Sequence, residues 1–163
     1  MTLTAHAITG ATLATLIPNY PILGFIVGFG SHFILDAIPH WEYPLASVKE
    51  DKKNPMNNDM IVGKNFYRDL FKIGIDGVLG LTLSFLLLRG IFHHSLLVIF
   101  LGAAGGMAPD ALQFFYFKWK HEPLISLQHF HNWIHPKISL DHEPLVGILS
   151  QIVIICLVIG ILK

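Results

Sequence analysis

From Pro144 to Leu162 the chain carries no charged residue. A helix of this kind either crosses a bilayer, which takes about 20 apolar residues, or must be wrapped in protein on every side. A chain of 163 residues has little protein with which to wrap it. Nor can charge cover the outside: 53% of residues are hydrophobic and 13% are charged, roughly half the usual charged fraction of about 25%. The composition therefore excludes an ordinary soluble domain and predicts an all-α, polytopic membrane protein.

Four more apolar segments precede that run, and the predicted helices cover about 3–17, 22–38, 66–88, 95–117 and 144–162. Pro18-Asn19-Tyr20-Pro21 turns the chain between the first two, and Arg89-Gly90 with His93-His94 turns it between the next two. The expected architecture is two helical hairpins plus a C-terminal helix in one membrane domain, 1–163, with polar loops at 39–65 and 118–143. The first helix is short for a span and is compatible with a tilted or re-entrant segment. If the helices alternate in direction, the N-terminus and both long loops share one face. Lys49, Lys52, Lys53, Lys64, Arg68, Lys72, Lys118, Lys120 and Lys137 lie on or near that face, against Arg89 and Lys163 on the other. The positive-inside rule then places it in the cytoplasm, with the protein in the inner (plasma) membrane. Met1 to Ala5 carry no Lys or Arg, so the basic start of a secretory signal is missing and the N-terminus is expected to be retained. The formal net charge of zero offers no attraction to nucleic acid as a partner. The single Cys156 excludes a disulfide framework and a thiolate metal cluster.

Ten histidines in so apolar a chain are the departure from the norm. Ionisable groups in lipid are costly and mark functional sites by default. At a rise of about 1.5 Å per residue from the hairpin turns, His6, His32, Asp36, Asp76 and Asp110 lie roughly 15 to 25 Å deep, all in the cytoplasmic half. Mutual pairing or a shared cation would remove the cost of placing them there. The sharpest motif is Ser31-His32-Phe33-Ile34-Leu35-Asp36-Ala37-Ile38-Pro39-His40. His32 and Asp36 lie one helical turn apart on one face. His40 continues the stripe beyond Pro39, which ends or breaks the helix. Imidazole with carboxylate suits a divalent metal, Zn²⁺ first and Mn²⁺ or Fe²⁺ as alternatives. His6, His32, Asp36, Asp76 and Asp110 are the predicted ligands. The competing reading for each is structural: a buried pair holding helices together, or, at Asp76 between Gly74 and Gly77, close helix packing. A short echo, Gly28-x-Gly30 before Asp36 and Gly102 to Gly106 before Asp110, hints at an internal repeat.

A second cluster, Gln128-His129-Phe130-His131-Asn132-Trp133-Ile134-His135 followed by Asp141-His142-Glu143, lies on the same face. It reads either as an amphipathic interfacial helix or as a lid supplying ligands or a general acid. His40 and His131 are the predicted proton-transfer residues.

At His6, at Gly28 to His40 and at Pro109-Asp110 the chain resembles the bacterial and archaeal membrane-bound metal-dependent hydrolases. Members begin with a histidine in helix one and close helix two with a Pro/Asp/His-rich stretch, which here would be His6 and the Asp36, Pro39, His40 run. The family's Pro-Asp-x-Asp-His and His-Arg-Gly-x-Thr-His segments are absent. His32-x-x-x-Asp36 followed by His40 is also similar to part of the helical zinc site of bacterial phospholipase C and related single-strand nucleases. These resemblances imply metal-activated water attacking a phosphoester or ester, and the depth of the site implies a lipid or lipid-linked substrate in the bilayer. The oligomeric state is left open. Two other classes compete. A proton or metal transporter needs polar steps to both faces, yet Leu81 to Leu88 and Leu96 to Leu101 supply only Thr82 and Ser84 besides apolar residues. A non-catalytic scaffold would use the same polar groups only to hold helices together.

Overall fold

The computed structural model describes all residues except 52, 137, 139, 141 and 163. Lys52, Lys137 and Lys163 of the charge count and Asp141 of the second cluster thus lie outside the described residues. The chain is almost wholly helical. Helices α1 (Leu3–Ala14) and α2 (Pro21–Asp36) form the first hairpin. A loop with a two-residue antiparallel pair, β1 (Val48–Lys49) and β2 (Asp59–Met60), leads to α3 (Lys64–Ser84), which runs on as a π-helical turn, Phe85–Ile91. Helix α4 (Leu96–Lys118), the shorter α5 (Leu124–Ile134) and α6 (Pro144–Gly160) complete the chain.

Two expectations are corrected. Lys64–Ile91 and Leu96–Lys118 are the helices long and apolar enough to cross a membrane. At 12, 16 and 17 residues, α1, α2 and α6 fall short of the length taken for five spans. The second polar loop is also not wholly a loop, because it contains α5, which packs on α4 and α2.

Helix α1 is the centre of the bundle. It packs against α2, α3, α4 and α6 and is buried almost all round, which its Ala, Gly and Thr residues permit. Around it the usual distribution is inverted: His6, His32, Asp36 and Gln151 are buried, while Ile22, Ile34, Phe71, Val78 and Leu157 are more than half exposed. Apolar side chains outside and polar ones inside fit a lipid-facing surface. Hydroxyls in the interior bond within their own helices, Thr12 to the Ile8 carbonyl at 2.7 Å and Ser84 to that of Gly80 at 2.7 Å.

Between such helices lipid supplies little hydrophobic drive, so close van der Waals contact of small residues must serve instead. Helix α4 supplies it. A Cβ on Gly105 would strike the Phe25 carbonyl of α2, and one on Gly106 would strike the His6 carbonyl of α1. Gly30, by contrast, faces open space. Gly105→Ala is therefore expected to destabilise the protein by about 1–3 kcal/mol through overpacking. Gly30→Ala is expected to stabilise it by up to about 1 kcal/mol through helix propensity. Thermal unfolding of both variants in detergent, followed by circular dichroism, checks the opposite signs.

Candidate metal centre

The close approach of α4 also places the first polar contacts. The Gly106 carbonyl lies 2.8 Å from His32 Nδ1, and a carbonyl only accepts, so Nδ1 carries the proton and donates it. His32 Nε2 is thereby left to face the bundle interior, the arrangement that orients a metal-ligating histidine. The His6 ring from α1 stacks on it with centroids 3.9 Å apart.

Asp36, at the last turn of α2, is the point of convergence. Its Oδ2 lies 2.9 Å from His32 Nε2 and 2.9 Å from His131 Nε2, and those two nitrogens are 3.4 Å apart. Asp110 Oδ1 lies 3.6 Å from His32 Nε2. One ligand atom from each of His32, Asp36, Asp110 and His131 falls within 4.8 Å of the other three. His6 Nε2 is 3.1 Å from Asp36 Oδ1, yet among the described residues neither His6 ring nitrogen has a hydrogen-bond partner, although the ring is fully buried. Native interiors seldom leave such atoms without a partner. Imidazole lone pairs and a carboxylate aimed at one point form a donor set that a divalent cation satisfies.

A second group adjoins the first. His40 Nδ1 donates to the Ile38 carbonyl at 2.7 Å, leaving Nε2 2.8 Å from Glu42 Oε1 and 3.9 Å from Asp36 Oδ1. His135 Nε2 is 3.4 Å from the same Glu42 oxygen. The Met1 amino group lies 2.6 Å from Glu42 Oε1 and 3.3 Å from Asp36 Oδ1. Desolvation opposes ionisation of Glu42, but the bonds to His135 and His40 and the Met1 charge outweigh it and hold the carboxyl well below the usual carboxylate range. Desolvation likewise lowers His135, and its bond to Glu42 more than reverses that, so its pKa is raised. Residues 40–42 are held by α6: Gln151 Nε2 donates to the Trp41 carbonyl at 2.9 Å, and its Oε1 accepts from Thr2 N at 3.1 Å and Oγ1 at 2.8 Å.

A cavity of about 500 Å³ opens beside the cluster. Its polar end carries Asp110, His131, His135 and Glu42, and its wall is apolar, with Leu70, Ile73, Met107 and Phe114. Asp110 reaches it with a side chain 32% exposed.

Of the predicted ligands the structure brings together His32, Asp36 and Asp110, with His6 against Asp36. Asp76 is not among them. Its carboxylate accepts from Leu3 N at 2.7 Å, Thr4 N at 3.1 Å and Thr4 Oγ1 at 2.6 Å, and so caps the start of α1. The first backbone N–H groups of a helix need such acceptors, and the helix dipole favours a negative charge there. His131, predicted as a proton carrier, aims Nε2 at the same Asp36 oxygen as His32. Glu42 was missed because it follows the end of α2 in irregular chain, where no helical spacing points to it. His135 was visible only as the i+4 partner of His131.

No family model, curated protein or solved structure matches this chain. The site therefore stands on its geometry. Asp76→Ala is expected to destabilise the protein by about 1–2 kcal/mol, the usual value of a lost cap, and to leave metal binding at the cluster intact. Denaturant unfolding together with metal analysis separates that outcome from a ligand's role, in which bound metal would fall.

Proposed function

We propose that this protein is a membrane-embedded, metal-dependent hydrolase acting on the phosphoester or ester of a lipid-like substrate. The observation that carries the reading is the set of buried His32, Asp36 and His131 with half-buried Asp110, at the polar end of a largely apolar cavity.

The ligands are His32, Asp36, Asp110 and His131, with His6 closing the buried side. Zn²⁺ suits this set best, and Mn²⁺ or Fe²⁺ are the alternatives. A divalent ion supplies Lewis acidity, polarising a phosphoryl or acyl oxygen and acidifying water. Water then adds across the ester bond: its oxygen goes to phosphorus or acyl carbon, that atom's bond to the leaving oxygen breaks, and a proton passes to the leaving oxygen. The protein's own part is to fix the His32 tautomer through Gly106, to converge His32 and His131 on Asp36, and to keep the apolar chain of the substrate against Leu70, Ile73 and Phe114. Asp110 stands between the cluster and the cavity, where the scissile group would sit.

Two apolar helices of spanning length support residence in the membrane. We read it as multi-pass, in the inner (plasma) membrane, with the N-terminus and both long loops cytoplasmic. The bunching of Lys49, Lys53, Lys64, Arg68, Lys72, Lys118 and Lys120 toward the ligand end of the bundle supports that orientation. The scaffold reading uses the same polar contacts, but it gives no reason for a cavity at the cluster.

Purified protein loaded with Zn²⁺ and dialysed is expected to retain the ion, and to hydrolyse a short-chain phospholipid or fatty ester in micelles faster than a water-soluble nitrophenyl ester. Asp36→Ala and His131→Ala are expected to weaken binding by more than about 100-fold, since even outer-shell partners of a metal are worth 10–100-fold. Elemental analysis and a lipid-release assay measure the two effects. Wild-type protein that retains none of the three metals would sink the reading.

A further inference from the structure

We propose that His40, Glu42 and His135 form a second divalent-cation site that shares the Asp36 carboxylate with the first, so that the centre holds two ions. This rests on the metal-dependent reading of the first site and deepens it.

The two groups have the same construction. In each, two imidazole Nε2 atoms converge on one carboxylate oxygen: His32 and His131 on Asp36 Oδ2 at 2.9 Å each, His40 and His135 on Glu42 Oε1 at 2.8 and 3.4 Å. One histidine of each pair gives its Nδ1 proton to a backbone carbonyl, His32 to Gly106 and His40 to Ile38, each at a distance under 3 Å. That bond fixes the tautomer with the Nε2 lone pair facing the carboxylate. The other histidine of each pair comes from α5 or the residue that follows it, His131 and His135, four residues apart. The ligand atoms of His40, Glu42 and His135 lie within 4.8 Å of one another, as those of the first group do.

Asp36 joins the two. Its Oδ2 belongs to the first group, while its Oδ1 lies 3.1 Å from His6 Nε2, 3.3 Å from the Met1 amino group and 3.9 Å from His40 Nε2, and so also borders the second group. A carboxylate presenting one oxygen to each side is suited to bridge ions about 3.5–4 Å apart, the separation of two-metal hydrolytic sites. In this arrangement His40 is a ligand, where the sequence reading gave it proton transfer. Two ions would clamp the attacking and leaving oxygens of an in-line displacement, which favours the phosphoester among the substrates of the first reading.

The test is the metal content of full-length protein in detergent after loading with Zn²⁺ alone, and the electron paramagnetic resonance of the Mn²⁺-loaded form. Wild type is expected to hold about two ions per chain, as a two-metal site requires, with a spin-coupled Mn²⁺ signal. Glu42→Gln and His135→Ala should each reduce the content to about one and restore the six-line spectrum of isolated Mn²⁺, and Asp36→Ala should remove both ions. Glu42→Gln keeps the shape of the side chain and removes its charge, so circular dichroism identical to wild type shows that the loss is one of ligation. One ion per wild-type chain, unchanged in the Glu42 and His135 variants, would overturn the second site and leave the first. Two ions retained in those variants would overturn the residue assignment. No ion in the wild type would overturn both readings.

Discussion

The structure depends on how closely the backbone of α4 meets the backbones of α1 and α2. The contact is made where Gly102, Gly105 and Gly106 have no side chain to keep the helices apart. In a soluble protein the hydrophobic effect would press such helices together, but lipid is as apolar as leucine, and packing and polar bonds must do it here. Gly106 serves both. Its missing Cβ admits the His6 carbonyl, and its own carbonyl accepts the proton of His32 Nδ1. The stacking of His6 on His32 follows from the same approach.

Helix α1 shows how far polar bonds carry the fold. It is short, rich in small residues and surrounded by four other helices. Its start is buried among them, so its first N–H groups cannot rely on water. Asp76 from α3 and the Thr2 hydroxyl accept them instead, the latter from Ala5 N at 3.3 Å. Gln151 from α6 then ties Thr2 to Trp41, and Trp41 sits between His40 and Glu42 of the second histidine-carboxylate group. The N-terminal end of α1 is thus the joint at which α3, α6 and the loop after α2 are registered against the histidine-carboxylate cluster.

The sequence made the polar level of the bundle legible but not its internal division of labour. His32 and Asp36 could be paired from their spacing, because i and i+4 on a helix face one way whatever the tertiary context. The common depth of His6, Asp76 and Asp110 could be counted from the turns, because rise per residue is constant. Depth is only one coordinate. Rotation about each helix axis decides whether a carboxylate meets His32 or the end of α1, and for Asp76 it decides on α1. Helix α1 read as half of a hairpin at the edge, because Ala, Gly and Thr give it almost no amphipathic pattern to reveal that every face is covered. Glu42 was illegible for another reason: irregular chain has no period, and its neighbour His40 is reached only after the break at Pro39.

A purely structural cluster would also use histidine against aspartate, so the two accounts must be separated by what each leaves over. If protons did the work, His32 would be an imidazolium giving Nδ1–H to Gly106 and Nε2–H to Asp36, and His131 would give a second proton to the same oxygen. That scheme satisfies Asp36. It leaves the fully buried His6 ring with Nε2 3.1 Å from Asp36 Oδ1, close enough to give that carboxylate a further proton. It also opens the most polar part of the interior onto a cavity of about 500 Å³, where a stabilising network would be closed against water. On the metal-dependent reading, His32 and His131 offer their Nε2 atoms as ligands beside Asp36 and Asp110, and the cavity bordering Asp110 and His131 is the open side of the site.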